Sequence, residues 1–481
     1  MESRRLISLF IFIFFFAVLL VRLLSNQANY SFDFDEIYSV VTSRYSYLQI
    51  ASGLRYDPGN PPLFFLILKL WRSLIYNSEY NLRLLSIIFY CLSFVFFFLT
   101  TKKNLSLPAL IIANSLFISS IPLYFFAHYV RAYCLLLFLC LSFWYFFDGF
   151  LETDNKLKKI LALFLGVVGL YTHYSFIVFL FFLTLCATYV YRKSITKVNK
   201  ILFFCLWLAI LYSPWAIFFV LNQFLPALNW RKYNFHQIQQ TWMGTKELAN
   251  YLTSVNFQNL YANLLFIFLI TIFIISYKKI ENIVWKKIIL LFLAIFTTII
   301  VYTPFHQIFN NPKYFIFLLP FLYFGLGIIF DFIKNKVLKF FYFLIIIYFS
   351  CRLIFSFNDF SVSENWKEIA VFFNQKGSNQ IIFFHPCHFG FSFDYYAKAP
   401  ASKYCFFENP EKIYYPVWNW DKKPSSFYLI TYGHHFTDKD KLSQKLQTFV
   451  NNLKKEYTIN NITGDFGIIS VSNFVRNPIN D

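Results

Sequence analysis

The sequence predicts a multi-pass α-helical membrane protein with a small C-terminal extracytoplasmic α/β domain. Hydrophobic residues make up 58% of the 481 residues and charged residues only 14%, whereas soluble proteins contain about 25% charged residues. Residues 1–356 contain 30 Lys and Arg against 12 Asp and Glu, but residues 357–481 contain 13 against 12. The composition excludes a soluble enzyme, a disordered chain and a disulfide scaffold. The change in charge separates a membrane domain, 1–356, from a tail domain, 357–481.

The first predicted span is Leu6–Leu24, preceded by Arg4 and Arg5. The alternative is a cleaved signal peptide. This apolar stretch is longer than the usual hydrophobic region of a signal peptide, and no small-residue cleavage site follows it. We therefore expect a retained helix with a cytoplasmic N-terminus.

A bilayer requires about 20 predominantly apolar residues per helix. By this criterion the sequence contains about eleven transmembrane helices. After the first span, they are predicted at 82–101, 108–126, 132–150, 160–172, 174–191, 201–220, 259–276, 288–304, 314–331 and 338–356.

Alternate connections between these spans are rich in basic residues. Together with Arg4 and Arg5, they hold 18 of the 30 Lys and Arg of the membrane domain. Short loops with excess Lys and Arg are cytoplasmic, so this charge indicates orientation rather than nucleic-acid binding. The loops at 25–81 and 221–258 and the tail are then extracytoplasmic, and they face the periplasm or the cell exterior.

The tail shows alternating helix and strand patterns. A capped amphipathic helix is predicted from Ser363 to Phe373, and a polar helix at 438–457. The predicted strands are Ile381–Phe384, Phe427–Tyr432 and Phe466–Val471. This alternation is typical of a small α/β layer. Cys387 and Cys405 also lie in the tail, where disulfides can persist, and the spacing leaves both a disulfide and free thiols open.

Acidic residues cluster just beyond the first span. Asp33, Asp35 and Glu36 lie within four residues of one another, and Asp57 follows in the same loop. A solvated loop surface is the alternative explanation. Acidic residues are scarce in this chain, however, and burial among aromatic residues raises the pKa of a carboxylate towards that of a useful general base. We therefore keep a catalytic role for this cluster, which includes Asp35 and Glu36, beside the solvated-surface alternative.

Several cationic or histidine residues are predicted at the same outer membrane level. Cations at one membrane face can hold a phosphate through charge-assisted hydrogen bonds, whereas the alternative is a set of interfacial residues whose side chains reach towards water. For any single histidine the interfacial alternative is favoured. For Arg131 and Lys313 a functional role is favoured, because positive charge on the outer face is not needed to orient the protein in the membrane. The substrate-binding candidates among them are His128, Arg131, His173 and Lys313.

Histidine and carboxylate side chains could also bind a divalent metal. The candidate ligands are Glu36, His128 and His173. Nothing in their spacing requires a metal, so the metal remains an open alternative.

Six segments together resemble bacterial membrane glycosyltransferases of the C-type superfamily, GT-C, and most closely family 39 and the Rgt-type enzymes. That group is related to the protein O-mannosyltransferases and to the transferases that add aminoarabinose to lipid A. The order of the segments is more specific than any one of them. They are Asp35-Glu36, Pro61–Trp71 with Glu79–Ser86, Phe126–Leu135, Leu170–Tyr174, Pro312–Pro320 and Asn365–Ala370.

The chain departs from the group's motifs at several positions. His128-Tyr129 replaces Gln-Glu, Lys313 replaces Arg, and Asn365 replaces Asp. Asp35 and Arg131 are retained. The resemblance implies a GT-C-like fold and transfer of a sugar from a polyprenyl-phosphate donor to a lipid, glycan or protein acceptor at the outer face, with membrane lipids as further partners. Nucleotide sugars are cytoplasmic, so a lipid-linked donor also agrees with acids that face outwards.

The resemblance also implies roles for the candidate residues in a direct displacement with inversion. Asp35 would take the proton from the acceptor hydroxyl, and Glu36 and Asp57 would orient the acceptor or a metal. Arg131, with help from Lys313, would neutralise the departing lipid phosphate, and Tyr314, beside Lys313 in the Pro312–Pro320 segment, would join them in substrate binding.

Two other classes of protein remain as alternatives. One is a transporter or lipid flippase, although the sequence shows no internal repeat and its few charges within spans lie near helix ends. The other is a polymerase or ligase of surface polysaccharide, which would share the lipid-linked donor. Formation of a covalent sugar product separates the enzymes from a transporter.

Overall fold

The computed structural model describes most of the chain outside one long central segment. The described residues are 2–25, 30–51, 60–221, 316–356, 364–377, 379–398, 400–406, 415–416, 418–420, 422–432, 441–464 and 466–478.

These residues divide into two units. The first unit contains Met1–Gln27 and Thr42–Asn358, and the second contains Ala28–Val41 and Asp359–Asp481. The acid-bearing segment after the first span therefore groups with the C-terminal tail.

The described part of the first unit is helical. Its helices coincide with nine of the eleven predicted spans, whereas the predicted spans at 259–276 and 288–304 lie outside the described residues. The long and medium helices are α1 (Glu2–Ser25), α5 (Glu79–Asn104), α6 (Leu107–Ser119), α7 (Ile121–Ala127), α8 (Tyr133–Thr153), α9 (Lys156–Leu170), α10 (Ser175–Val190), α11 (Ile195–Phe219), α12 (Leu318–Phe332) and α13 (Lys336–Ser356).

Five of the described helices are long and apolar enough to cross a membrane, and a bent pair of helices adds a sixth candidate. Together with the C-terminal sheet described below, they confirm the predicted fold class of a multi-pass helical membrane protein with a small α/β domain.

The predicted span at 108–126 is not one continuous helix. It consists of α6 and α7, which meet at Ser120 with a bend of 52°. Ser120 is extended, with φ −57° and ψ 114°, and its side chain accepts a hydrogen bond from the Leu123 N–H. Pro122 lies in the first turn of α7, where its missing N–H costs no helical hydrogen bond. The capping serine and the proline therefore begin a new helix here.

Aromatic contacts and a close approach at a glycine pack three helices of the first unit against one another. The Phe117 ring on α6 lies 5.4 Å from Tyr90 and 4.8 Å from Phe97, both on α5, measured between ring centroids. On α12, a Cβ added to Gly327 would lie 3.0 Å from the Ala109 carbonyl oxygen on α6. Small residues permit such close helix approach within a membrane, so Gly327 allows α12 to pack on α6.

The loop between the first two long helices contains three short helices. They are α2 (Phe34–Thr42), α3 (Tyr47–Ala51) and α4 (Leu63–Leu74). Helix α4 begins directly after Pro61-Pro62 and buries Phe64, Phe65 and Leu68, while Leu70 and Leu74 are exposed. Helix α4 is therefore amphipathic.

The second unit is built on a five-stranded mixed sheet in the order β2-β1-β3-β5-β4. Strand β1 pairs in parallel with β2 and β3, while β5 pairs antiparallel with β3 and β4. The elements are α14 (Trp366–Lys376), β1 (Gln380–His385), α15 (Phe389–Tyr396), β2 (Ala401–Cys405), β3 (Ser426–Tyr432), α16 (Lys441–Leu453), β4 (Tyr457–Ile462) and β5 (Ile469–Arg476).

The sequence predicts the central strands β1 and β3 closely but places β5 three residues too early. Gly467 has a φ of +66°, a conformation that suits a turn and not a strand. The predicted polar helix also runs too far, because α16 ends at Leu453 and β4 begins at Tyr457. Strands β2 and β4 lie at the edges of the sheet and alternate too weakly to be recognised from sequence.

The core of the second unit is largely aromatic. Buried Phe383, Phe427 and Phe474 come from three different strands, and the rings of Phe427 and Phe474 stack at 4.5 Å. Cys387 and Cys405 form a disulfide, with their Cα atoms 5.0 Å apart, which resolves the alternative left open by the sequence. The sheet is thus fastened to the segment that precedes α15.

Candidate active site

The three acids after the first span have different roles at the start of α2. Asp33 precedes the helix, and its carboxylate accepts a hydrogen bond from the Glu36 N–H at 3.1 Å. The Glu36 carboxylate in turn accepts one from the Asp33 N–H at 3.3 Å. This is a reciprocal capping box, which satisfies two backbone donors at a helix start.

Asp35 lies between the two capping residues, in the first turn of α2. It is half-buried, whereas Glu36 is only 1% exposed. The sequence suggests Glu36 as a catalytic or metal-binding residue, but in this structure its carboxylate helps to cap the helix. Asp35 is therefore the better placed of the two predicted catalytic acids to meet a substrate.

Residues of the tail hold the acid-bearing segment within the second unit. The Phe32 N–H donates to the Tyr396 hydroxyl at 2.8 Å, and the Phe34 N–H donates to the Glu364 carboxylate at 3.0 Å. The Phe34 ring also lies 4.5 Å from the His388 ring. The backbone on the N-terminal side of Asp35 is thus bound to the tail by two direct hydrogen bonds.

His388 is a titratable residue of the tail whose pKa is affected by the charge of Asp35. Burial lowers the pKa of His388 from its ordinary 6.5 to about 4, although the negative charge of Asp35 acts in the opposite direction. His388 is consequently neutral at neutral pH.

We expect the second unit to lose stability between pH 6.5 and about 4. The pKa of His388 is lower in the folded protein than in the unfolded chain, so the unfolded chain binds more protons in this window. The free energy of unfolding therefore decreases as the pH is lowered, by up to about 3 kcal/mol. Hydrogen exchange of tail peptides in the full-length protein, compared at pH 7 and 4.5, measures this loss. His388→Gln should show a smaller acid effect, and equal acid sensitivity in the two proteins would contradict the assignment to His388.

In the first unit, His128 joins two helices. It lies at the end of α7 and is fully buried. Its Nδ1 lies 3.1 Å from the Tyr124 carbonyl oxygen, and its Nε2 lies 3.1 Å from the Leu23 carbonyl oxygen of α1. Since both ring nitrogens face backbone carbonyls, His128 serves to connect α1 and α7.

Arg131 lies in the turn between α7 and α8 and is half-buried. Its backbone N–H donates to the Tyr129 carbonyl at 2.8 Å, which tightens the turn. Among the predicted cationic residues in the described part of the chain, Arg131 best combines a permanent charge with partial exposure.

His173 lies in the turn between α9 and α10 and is 4% exposed. Its Nδ1 accepts a hydrogen bond from the Ser175 N–H at 3.1 Å, so in the neutral ring the proton is on Nε2. The His173 ring lies 6.0 Å from the Tyr133 ring at the start of α8. This places the Thr-His-Tyr turn beside the segment that contains Arg131.

Three of the six segments with motif resemblance, one of them in two parts, meet in the first unit. Besides the Tyr133–His173 ring contact, the Ser86 hydroxyl donates to the Tyr129 carbonyl at 2.7 Å. The Leu63 N–H, directly after the proline pair, donates to the Tyr171 carbonyl at 3.1 Å. Pro61–Trp71, Glu79–Ser86, Phe126–Leu135 and Leu170–Tyr174 are therefore linked by direct contacts.

Two buried cations near this cluster were not among the predicted site residues. The Arg22 guanidinium lies 4.1 Å from the Tyr124 ring centroid, and its Nη1 donates to the Ile118 carbonyl. Arg83 lies on α5, one turn before Ser86, and is fully buried. Charged residues within apolar spans are costly and usually functional, and this rule is the sequence signal that could have identified both.

The other predicted site residues cannot be placed. Asp57, Lys313 and Tyr314 lie outside the described residues, as do most of the 221–258 loop and part of the loop at 25–81.

The suggested metal ligands do not form a metal-binding group. Glu36 caps α2, His128 faces two carbonyls and His173 accepts the Ser175 N–H. Within the ranges that the structure describes, no three His, Cys, Asp or Glu residues are grouped so that they could hold a metal ion. These residues therefore do not fit the metal-binding alternative.

Among the solved structures that are similar to this chain are two of one protein. They are crystal structures of ArnT from Cupriavidus metallidurans, one in the apo state and one bound to undecaprenyl phosphate. Each match covers 96% of this chain and 97% of the ArnT chain, with a TM-score of 0.48 and sequence identities of 10% and 11%, respectively. No protein-family model and no curated protein sequence matches the chain.

Proposed function

We propose that the chain is an integral membrane glycosyltransferase of the GT-C superfamily. It transfers a sugar from a polyprenyl-phosphate donor to a hydroxyl of a lipid, glycan or protein acceptor on the extracytoplasmic face of the bacterial inner membrane.

The meeting of three of the six motif segments in the first unit carries this proposal. These segments are separated by up to about a hundred residues in sequence, yet Ser86–Tyr129, Leu63–Tyr171 and Tyr133–His173 contacts link them. Arg131 belongs to one of these segments. The three motif segments of the first unit thus form one cluster rather than scattered similarities.

The acid motif supplies the second support. Asp33 and Glu36 form the helix cap that flanks Asp35, and the Phe34 and Phe32 N–H groups are bound to the tail. A partly exposed carboxylate on a fixed backbone is what a general base requires, because proton transfer depends on position as well as on basicity.

The proposed reaction is a single displacement. Asp35 takes the proton from the acceptor hydroxyl as the hydroxyl oxygen forms a bond to the anomeric carbon. The bond between that carbon and the phosphate oxygen breaks, and its electron pair leaves with the polyprenyl phosphate. Arg131 neutralises the charge that grows on the phosphate oxygens, and the sugar configuration inverts. Lys313, Tyr314 and Asp57 remain proposed substrate-binding residues.

Purified full-length protein in liposomes tests the proposal. Polyprenyl monophosphates that carry a radiolabelled hexose or pentose are supplied with an extract of membrane lipids and glycans as acceptor. We expect the label to move into a new covalent product as polyprenyl phosphate is released. Movement of the labelled donor across the bilayer without a covalent product would instead support the transporter or flippase alternative.

A further inference from the structure

Glu364 is a buried carboxylate that the proposed mechanism does not use. It lies just before α14 and is 7% exposed. Its Oε2 accepts two hydrogen bonds, one from the Trp366 Nε1–H at 2.8 Å and one from the Phe34 N–H at 3.0 Å. A buried carboxylate is tolerated only when such donors replace the water that it has lost, so both donors are integral to its position.

The donor at Phe34 is the backbone group next to Asp35. Phe34 is the first residue of α2, and the first N–H groups of a helix have no acceptor within the helix. A negative charge at this end is also favoured by the helix dipole. Glu364 therefore binds α2 at its start, one residue before the proposed base.

Glu364 is itself firmly held by the tail. Its backbone forms a bridge with Gly467, just before β5, and the adjacent Asn365 N–H donates to the Phe466 carbonyl at 3.3 Å. The Trp366 side chain is fully buried, and its ring lies 5.0 Å from that of Phe389. A continuous series of contacts thus connects the sheet, Glu364, the Phe34 N–H and Asp35.

We infer that Glu364 is a positioning residue that holds the Asp35 helix for catalysis, so that the tail domain contributes directly to the active site. This inference rests on the proposed function. It predicts that Glu364 affects the chemical step more than donor binding, since a misplacement of about 1 Å at a reacting group can reduce the rate about 10²-fold.

Two Glu364 variants and one matched control test the inference in the full-length protein. Glu364→Leu removes both acceptor interactions, whereas Glu364→Gln retains a carbonyl oxygen that can accept. Glu368→Gln is the control, because Glu368 lies on α14, four residues after Glu364, and is exposed. Transfer is measured with the radiolabelled polyprenyl-phosphate sugars, and hydrogen exchange is measured for peptides covering 32–42 and strands β3 and β5.

For Glu364→Leu we expect kcat to fall about 10- to 100-fold, with the donor KM changed less than threefold. Exchange should increase at 32–42 but not in β3 or β5. Glu364→Gln should recover at least part of the lost kcat, and Glu368→Gln should match the wild type in both measurements.

Two results would overturn the positioning role. One is unchanged kcat in Glu364→Leu, and the other is an equal increase of exchange in 32–42, β3 and β5, which would show a general loss of folding. Failure of the wild-type protein to transfer any labelled sugar would overturn the proposed function itself, and this result is distinct from both.

Discussion

Asp35→Asn is expected to lower the rate of sugar transfer by about 10²–10⁴-fold, which is the usual contribution of a general base. Asparagine has nearly the same shape as aspartate but cannot take a proton from the acceptor hydroxyl. Loss of the negative charge at this helix start removes a favourable interaction with the helix dipole of about 0.3–1 kcal/mol, while asparagine keeps the size of the half-buried side chain. The decrease should therefore appear in kcat while expression and folding remain normal, as measured with the labelled donor and by gel filtration.

The two neighbouring acids provide matched controls for this prediction. Asparagine is as good a helix cap as aspartate, and glutamine can replace glutamate in a capping box. Asp33→Asn and Glu36→Gln should therefore retain most of the wild-type rate, because their carboxylates cap α2. Near-normal turnover in Asp35→Asn would remove Asp35 from the role of base. A loss in Glu36→Gln as large as that in Asp35→Asn would show that Glu36 also takes part in the chemistry.

Hydropathy predicted the transmembrane helices well because a helix that crosses a membrane must satisfy its own backbone and present apolar side chains over its whole length. This local requirement is visible in any window of about 20 residues. The bend at Ser120 was missed, because the apolar run continues through it. The signal was nevertheless present in Ser120-Ile-Pro122, a capping residue followed by a proline in the first helical turn.

The acid cluster shows which features of a site can be predicted from sequence and which cannot. Three acids beside one another predicted a functional segment, and the spacing of Asp33 and Glu36 already has the form of a capping box. The hydrogen bond between this segment and the tail could not be predicted, because Phe34 and Glu364 are 330 residues apart in the sequence. Their hydrogen bond depends on how the chain returns after the last predicted span.

His128 shows the opposite case. From sequence it is a histidine at the outer membrane level in a motif position, which made it a substrate-binding candidate even though the interfacial alternative is favoured for any single histidine. In the structure its two nitrogens face the carbonyls of Tyr124 and Leu23, the second of which is 105 residues away. A contact of this kind leaves no periodic pattern, so burial and partners have to be observed. The replacement of Asp by Asn365, by contrast, has a local explanation, because Asn365 caps α14 as an aspartate would.

Arg131→Ala is expected to lower kcat by about 10²–10³-fold, similar to the loss of one donor from an oxyanion-binding site. The donor contains a phosphodiester with one negative charge, and the departing polyprenyl phosphate gains another as the sugar–oxygen bond breaks. Arg131 should therefore interact more strongly with the transition state than with the bound donor, and kcat should fall more than the donor KM rises. Steady-state kinetics with the labelled donor measure both quantities.

The released polyprenyl phosphate supplies an independent measurement of the same role. It carries the additional charge, so added polyprenyl phosphate should inhibit Arg131→Ala less strongly than it inhibits the wild type. Arg131→Lys should fall between the two, because lysine keeps the charge but loses the planar pair of donors that matches phosphate. Arg192→Ala is the control, since Arg192 is exposed in a turn where its guanidinium contacts Tyr189, and it should match the wild type. Unchanged kcat and unchanged product inhibition in Arg131→Ala would assign the leaving-group charge to other cations, with the buried Arg22 and Arg83 of the same unit as the next candidates.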